Sequence, residues 1–287
     1  LVRGYNVYSV STTAKPNQEE LALETILTEN ERIKRYGFTN SELERMKTNM
    51  LVGLESAYKE KDKTDNESFI GDMQNHFLEQ EPMVDFEYYY QFAKQIIPTI
   101  TVEEVNAKAK EWNTGKNQVI TITGPSEDTK HLTREEAFAI MDKVAKAPVD
   151  PYHDAVNDTD LITEELAGSK IIKTKKLPQF DAVEWTLENG AKVVFRKADY
   201  EKDNVSLTSY SKGGTSLYDV DMLASADNAA GFTAAFGLGD FNAISLQKAL
   251  TGKMASCSVN IGGMSEAVGG GSTPQDFETM LQLLYLR

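Results

Sequence analysis

Apolar residues recur at helical spacing through most of the first half of the chain. Asn17 with Glu20 forms a capping-box variant, in which a short polar acceptor is followed three residues later by a carboxylate. Leu23, Ile26, Leu27 and Ile33 then share one face, and Gly37 ends the run. Thr39 with Glu42 opens a second helix carrying Leu43, Met46, Met50, Leu54 and Tyr58. Thr64 with Glu67 opens a third, carrying Phe69, Ile70, Met73 and Phe77. A fourth spans about 85–97, and a fifth starts at Thr101 with Glu104 and carries Val105 and Trp112. Thr133 with Glu136 caps a sixth, with Phe138, Met141 and Val144 on its apolar face. Two segments follow the two-residue period of a strand instead. They are Tyr5–Thr12, stopped by Pro16-Asn17, and Gln118–Thr123, closed by Gly124-Pro125.

The second half reads differently. Ile171–Leu177 is a strand, and Glu184–Glu188, Asn189-Gly190 and Ala191–Arg196 have the pattern of a hairpin with a type I′ turn. Val205–Tyr210 is a further strand ended by Gly213-Gly214. An alanine-rich helix covers about 222–235, and a shorter one carries Ile244, Leu246 and Leu250. Met254–Ile261 and Glu266–Val268 are paired strands around Gly262-Gly263. Thr273 as N-cap with Pro274 at the first helical position starts a last helix that runs to Arg287. A chain that opens in a strand and stops inside a helix reads as a piece of a longer protein.

Between the halves, 147–169 is rich in Pro, Asp and Glu and weakly periodic, which predicts a linker. The expected fold class is α+β: two domains, 1–146 and 170–287, each a mostly antiparallel sheet layered with helices.

Composition narrows the partners. The 287 residues carry 44 acidic and 30 basic side chains, a formal charge of −14, so nucleic acid is not an expected ligand. The charge gives solubility, or a field that attracts basic peptides. No apolar run approaches the ~20 residues of a membrane span, and Leu1–Tyr5 does not open a signal peptide. Cys257 is the single cysteine, so neither a disulfide framework nor a cysteine-rich zinc site is expected. In its apolar strand it reads as core. Gly213-Gly214 and Gly269–Gly271 lack the lysine and spacing of phosphate loops and read as turns. Ser206, Ser209, Ser211 and Ser216 have no histidine near them in sequence. Tyr88–Tyr90 reads as an amphipathic helix face.

Several ordered motifs resemble the insulinase/pitrilysin-type zinc metallopeptidases. In the second half they are the hairpin at Leu187–Val193, GGTSL at Gly213–Leu217, GLGDF at Gly237–Phe241, LQKALTGK at Leu246–Lys253 and TPQDFETMLQLLY at Thr273–Tyr285. In the first half they are Phe38–Lys47, Asn75–Pro82 and the run from Ile100 to Pro125. The resemblance implies that 1–146 is the later part of the family's second domain. It implies that 170–287 is the beginning of its third, zinc-less domain. It further implies a clamshell that encloses peptides by adding them as a strand to a sheet edge. The resemblance also implies zinc in the full-length protein, with its H-x-x-E-H motif expected before Leu1 and an Arg/Tyr pair expected after Arg287. The partners implied are the remaining domains of the same chain and peptide substrates, in a periplasmic or cytoplasmic setting. The alternative is a catalytically dead scaffold or assembly subunit of the same fold.

The chain itself carries no such motif. Its histidines are His76, His131 and His153. His76-Phe77-Leu78-Glu79-Gln80 comes nearest, but Gln80 replaces the second imidazole, and an amide is a poor zinc ligand. The segment reads as a helix with Phe77 packed inward and His76 and Glu79 in solvent. Where the third domain would hold a motif, Ala224–Gly231 offers no ligand pair. No catalytic or metal-binding residue is assigned within the chain, and the substrate-binding residues are left unassigned.

Overall fold

Polar side chains at the helix starts set most of the boundaries. The computed structural model describes residues 7–124, 131–155 and 159–287. Its first helices are α1 (Glu19–Tyr36), α2 (Asn40–Glu60), α3 (Asn66–Glu79), α4 (Phe86–Ile96), α5 (Val102–Trp112) and α6 (Arg134–Lys146). The capping boxes of Thr101 with Glu104 and Thr133 with Glu136 form with both reciprocal bonds. Thr39 and Glu42 exchange the same pair, at 2.8 and 3.3 Å. Two starts differ from the sequence expectation. Asn17 turns left-handed, so α1 begins later behind Gln18 with no side-chain cap. Asp65 rather than Thr64 caps α3, accepting from the Ser68 N–H; a charged acceptor suits the positive helix end better than a hydroxyl.

The two strands expected in the first half do not form. The described part of the first, 7–12, and the whole of 118–123 carry no strand pairing. Alternation makes a strand only where a partner ladder satisfies the backbone, and Val119 is 87% exposed. Pro125 lies outside the described residues.

The chain groups into two compact units. One holds the described residues up to Met46 together with Ile96–Asp154; the other holds Lys47–Gln95 and the described part of Ala155–Arg287. In the first unit α1 packs on α5 and α6, with Ile97, Ile140, Val144 and Val149 buried. The corner between α1 and α2 turns on Gly37, at φ 75. A Cβ there would lie 2.4 Å from Asn106, whose amide instead accepts from the Phe38 N–H at 2.7 Å and donates to its carbonyl at 3.1 Å. The first part of the acidic stretch is also ordered here. Arg35 donates to the Ala145 and Ala147 carbonyls, Tyr36 to Val149, and Arg45 pairs with Asp154.

The second unit carries two antiparallel three-stranded sheets, which makes the whole α+β. β1 (Ile171–Leu177), β2 (Ala182–Leu187) and β3 (Lys192–Arg196) form a meander in that order. Trp185 stacks on Phe195 at 5.8 Å across β2 and β3. The connecting turn is not type I′. Gly190 alone takes positive φ, and its N–H closes on the Leu187 carbonyl at 2.9 Å, the pattern of a turn followed by a glycine bulge.

The other sheet is built from β4 (Val205–Lys212), β5 (Ala255–Ile261) and β6 (Ser265–Ser272), in the order β4-β6-β5. Helices α7 (Leu223–Phe236), α8 (Ala243–Ala249) and α9 (Phe277–Leu286) accompany it. The glycines 269–271 are not a turn: they lie in the second half of the central strand. A Cβ on Gly270 would lie 3.0 Å from the Met280 sulfur, and Met280 is the most deeply buried large side chain. The last helix starts at Phe277, later than Thr273-Pro274 suggested. Thr273 instead closes a turn onto Asp276, whose N–H donates to the Thr273 hydroxyl at 3.2 Å. The Asp276 carboxylate accepts from the Met254 N–H at 2.8 Å and pairs with Lys253 at 3.2 Å. It thereby ties the entry of β5 to the entry of α9. Among the described residues no helix is long and apolar enough to cross a membrane.

This packing makes two substitutions informative. Asp276→Ala leaves the half-buried Met254 N–H without its acceptor and should lower unfolding free energy by about 1–3 kcal/mol in urea denaturation. Gly270→Val drives a branched side chain into Met280 and should cost about as much, through overpacking. Unchanged midpoints in both variants would contradict the described contact.

Candidate functional site

An inverted zinc motif needs two imidazoles four residues apart on one helical face. The residues present do not fit that requirement. His76 lies in the last turn of α3, but Gln80 is outside the helix as its C-cap, left-handed at φ 61. The His76 Nδ1 lies 2.7 Å from the Glu81 carbonyl, so that nitrogen donates and is not a metal ligand. Phe77 does not pack inward; it is 80% exposed. His131 sits 2.7 Å from Glu19 at the start of α1, and the Leu132 N–H bonds the other Glu19 oxygen at 3.1 Å. The Leu132 N–H first, and then His131, hold the Glu19 carboxyl below its usual range. That pair closes the positive end of α1. His153 is exposed. Among the described residues no group of three or more His, Cys, Asp or Glu is placed to hold a metal. In α7 the Asn228 amide bonds back to the Ala224 carbonyl of its own helix at 2.7 Å.

The other groups singled out in the sequence are engaged in structure. Ser209 accepts the Val268 N–H at 3.1 Å, and the Ser216 hydroxyl donates to the Gly213 carbonyl at 2.8 Å. A Cβ on Gly214 would lie 2.1 Å from the Gly262 carbonyl, so this glycine permits the close crossing of two backbones. Cys257 is buried in β5 beside Leu238 and Leu283, and burial pushes its thiol up, away from a reactive thiolate. Tyr90 is buried and stacks on Tyr58 at 4.0 Å, whereas Tyr88 and Tyr89 are exposed. Around that stack the Tyr58 hydroxyl and Lys61 both donate to Glu87, at 2.6 and 2.8 Å. Lys61 also lies 4.1 Å above the Tyr58 ring.

What the second unit offers a ligand is a strand edge. β6 is paired on both sides, by β4 and β5. Helices α7 and α9 pack on β5, and α9 on β6 as well. Among the described residues β4 pairs with β6 alone, as β5 does, so its other side is a sheet edge at which a further strand could add. Serines, threonine and lysine along β4 keep that edge hydrated. Sequence reasoning found this strand but not its edge position, because strand order follows from the long-range pairing of β6.

No protein-family model matches the chain. It is 26% identical over 186 residues to the Zinc protease PQQL-like of Arabidopsis thaliana, covering 64% of this chain and 20% of that protein. The chain thus spans about a fifth of that relative's length. Among solved structures, a mutant of the ferredoxin protease FusC in complex with Arabidopsis ferredoxin matches with a TM-score of 0.51 at 18% identity, over 94% of this chain and 30% of that one. The periplasmic protease PqqL from Escherichia coli matches with a TM-score of 0.44 at 18% identity, over 92% and 29%. The chain is related in sequence to a zinc protease, in keeping with its resemblance to the insulinase/pitrilysin type.

The Glu87 cluster has a measurable signature. Hydrogen bonds from Lys61, then Tyr58 and Gln91, bring the Glu87 carboxyl down from 4.5 to about 2. A lowered carboxylate contributes stability at pH above its unfolded value, and that contribution fades as pH falls from 4.5 toward about 2. An NMR titration should find the Glu87 midpoint well below the other glutamates, and Lys61→Met should move it up toward 4.5. A midpoint near 4.5 in the parent would contradict the cluster.

Proposed function

We propose that this chain is a non-catalytic, chamber-forming and peptide-binding part of a zinc metallopeptidase. In this reading 1–146 corresponds to the end of the family's second domain, 147–169 to a linker and 170–287 to the start of its third. The observation that carries it is the 186-residue relationship to a zinc protease, in a chain whose histidines are not arranged for zinc. The metal and the water it activates belong to other parts of the full-length protein, and so does hydrolysis. The same relationship favours a peptidase over a scaffold subunit.

The work left to these residues is to hold an extended peptide. The β4 edge supplies main-chain donors and acceptors at the spacing of a strand, which gives affinity with little regard to sequence. Polar side chains along β4 suit a site that is wet when empty. FusC was solved holding ferredoxin, so unfolding protein substrates belong in the test alongside free peptides.

Hydrogen exchange on the chain with and without a saturating extended peptide tests the reading. Alternate amides of 205–212 should slow on peptide addition, while those of β6 stay as protected as before. Protection that appears elsewhere and leaves β4 unchanged would move the peptide site away from this edge.

A further inference from the structure

The loop that leads into β4 is held from outside its own sheet. Residues 197–204 join β3 to β4 and carry Asp199, Glu201, Lys202, Asp203 and Asn204. A polar segment of this kind has little apolar surface to bury and opens readily. Here the end of α2 grips it. One oxygen of the Glu60 carboxylate accepts the backbone N–H groups of both Lys202 and Asp203. Lys59 reaches the two Asp203 oxygens at 3.2 and 3.1 Å, and that side chain is only 10% exposed. Lys202 pairs with Asp62 at 2.7 Å, and Lys63 donates to the Asp199 carbonyl at 2.7 Å. Successive N–H groups turned toward one anion form a nest, and here a side chain fills it. The other Glu60 oxygen is buried with no hydrogen-bond partner. Burial of that oxygen is unfavourable by itself, so the two N–H groups hold the carboxylate where it is.

Only Asn204 separates this grip from Val205, where β4 begins to pair with β6. The ladder sets its own register weakly. Opposite Ser206, Leu207 and Thr208 stand Gly271, Gly270 and Gly269, which offer no side chains to interlock. Along β4 only Val205 and Leu207 are half-buried; the other six residues are exposed. Glycine-rich strands and strands polar on both faces are prone to slip by one residue, which turns every side chain to the opposite face. The far end of β4 has its own anchor, the Gly214 N–H on Glu266 at 3.3 Å. A bulge between the two ends can still absorb one residue, so each end needs fixing.

We propose that Glu60 is the positioning residue that fixes the register of β4. By holding the Lys202 and Asp203 N–H groups it decides which residue of β4 meets Gly271. Leu207 then stays opposite Gly270, on the face where Met280 lies, and the sheet edge presents one defined set of backbone groups. Glu60 acts through the loop alone. Its role is therefore the same whatever strand adds at the β4 edge, and does not depend on the peptide reading.

Paired cysteines read the register, with Cys257→Ala throughout. Ser206→Cys with Gly271→Cys sets two thiols opposite each other, and a Cβ at Gly271 comes no nearer than 3.8 Å to Ser256. Val205→Cys or Leu207→Cys, each with Gly271→Cys, reports a slip in one direction or the other. In the present register those side chains point to opposite faces and cannot bridge. Equilibration of the chain in a glutathione buffer gives the effective concentration of each disulfide. With Glu60 in place, the Ser206/Gly271 pair should dominate. Glu60→Ala should lower it by about tenfold or more, the weight of a hydrogen bond to a charged group, and one neighbouring pair should rise. Glu60→Gln keeps an acceptor and should restore most of the parental value. Lys63→Met frees the loop at Asp199, leaves the two N–H groups bound and should change nothing. Hydrogen exchange along β5 checks that the sheet stays folded. Parental disulfide values in Glu60→Ala would overturn the proposal. So would a fall in the Ser206/Gly271 pair with no rise in either neighbour, or loss of β5 protection, because Glu60 would then stabilise the fold without choosing a register. Equal losses in Glu60→Gln or Lys63→Met would also overturn it.

Discussion

The second unit depends on how closely α9 lies against β6. Gly270 presents no side chain on the central strand, and Met280 occupies the space that a Cβ would need. Asp276 fixes the register of that contact from one end, through the Met254 N–H and Lys253. With α9 seated there, Leu283 reaches Leu238 and Cys257 to complete a small core. Gly270 therefore does two jobs on one strand. It admits the helix on one face, and its backbone pairs with β4 on one side and β5 on the other. A bulkier strand would hold the helix off and loosen the edge that β4 presents.

Much of the helical architecture was legible because capping is local. Thr39, Thr101 and Thr133 sit three residues before a glutamate, and each starts a helix where expected. The errors lie where a local signal has two readings. Residues 118–123 have a strand's pattern but no ladder to join. The glycines 269–271 have the composition of a turn, yet they lie in a strand, where Gly270 serves a close helix–strand contact that only three-dimensional packing reveals. Asp65 displaced Thr64 as a cap because both can reach the helix end and the carboxylate bonds more strongly. For Phe77, periodicity gave the right face of α3 but could not say whether anything covers it.

Of the candidate chemistry, the near-motif at His76–Gln80 was legible in the sequence and its geometry was not. Gln80 in place of a second histidine is readable at sight; its left-handed position beyond the helix adds a geometric reason that the sequence did not supply. The β4 edge could not have been found from composition, since edge and centre differ only in which strand pairs with which. In the proposed reading the chain supplies sheet edges that hold a peptide, while metal chemistry belongs elsewhere in the full-length protein.

That claim is tested most directly by elemental analysis of the purified chain after exhaustive dialysis against zinc-free buffer, alone and as His76→Ala. The account predicts zinc far below one atom per chain in both, with no difference between them. One tightly held zinc per chain, lost on His76→Ala, would contradict it and restore a metal role to His76 and Glu79.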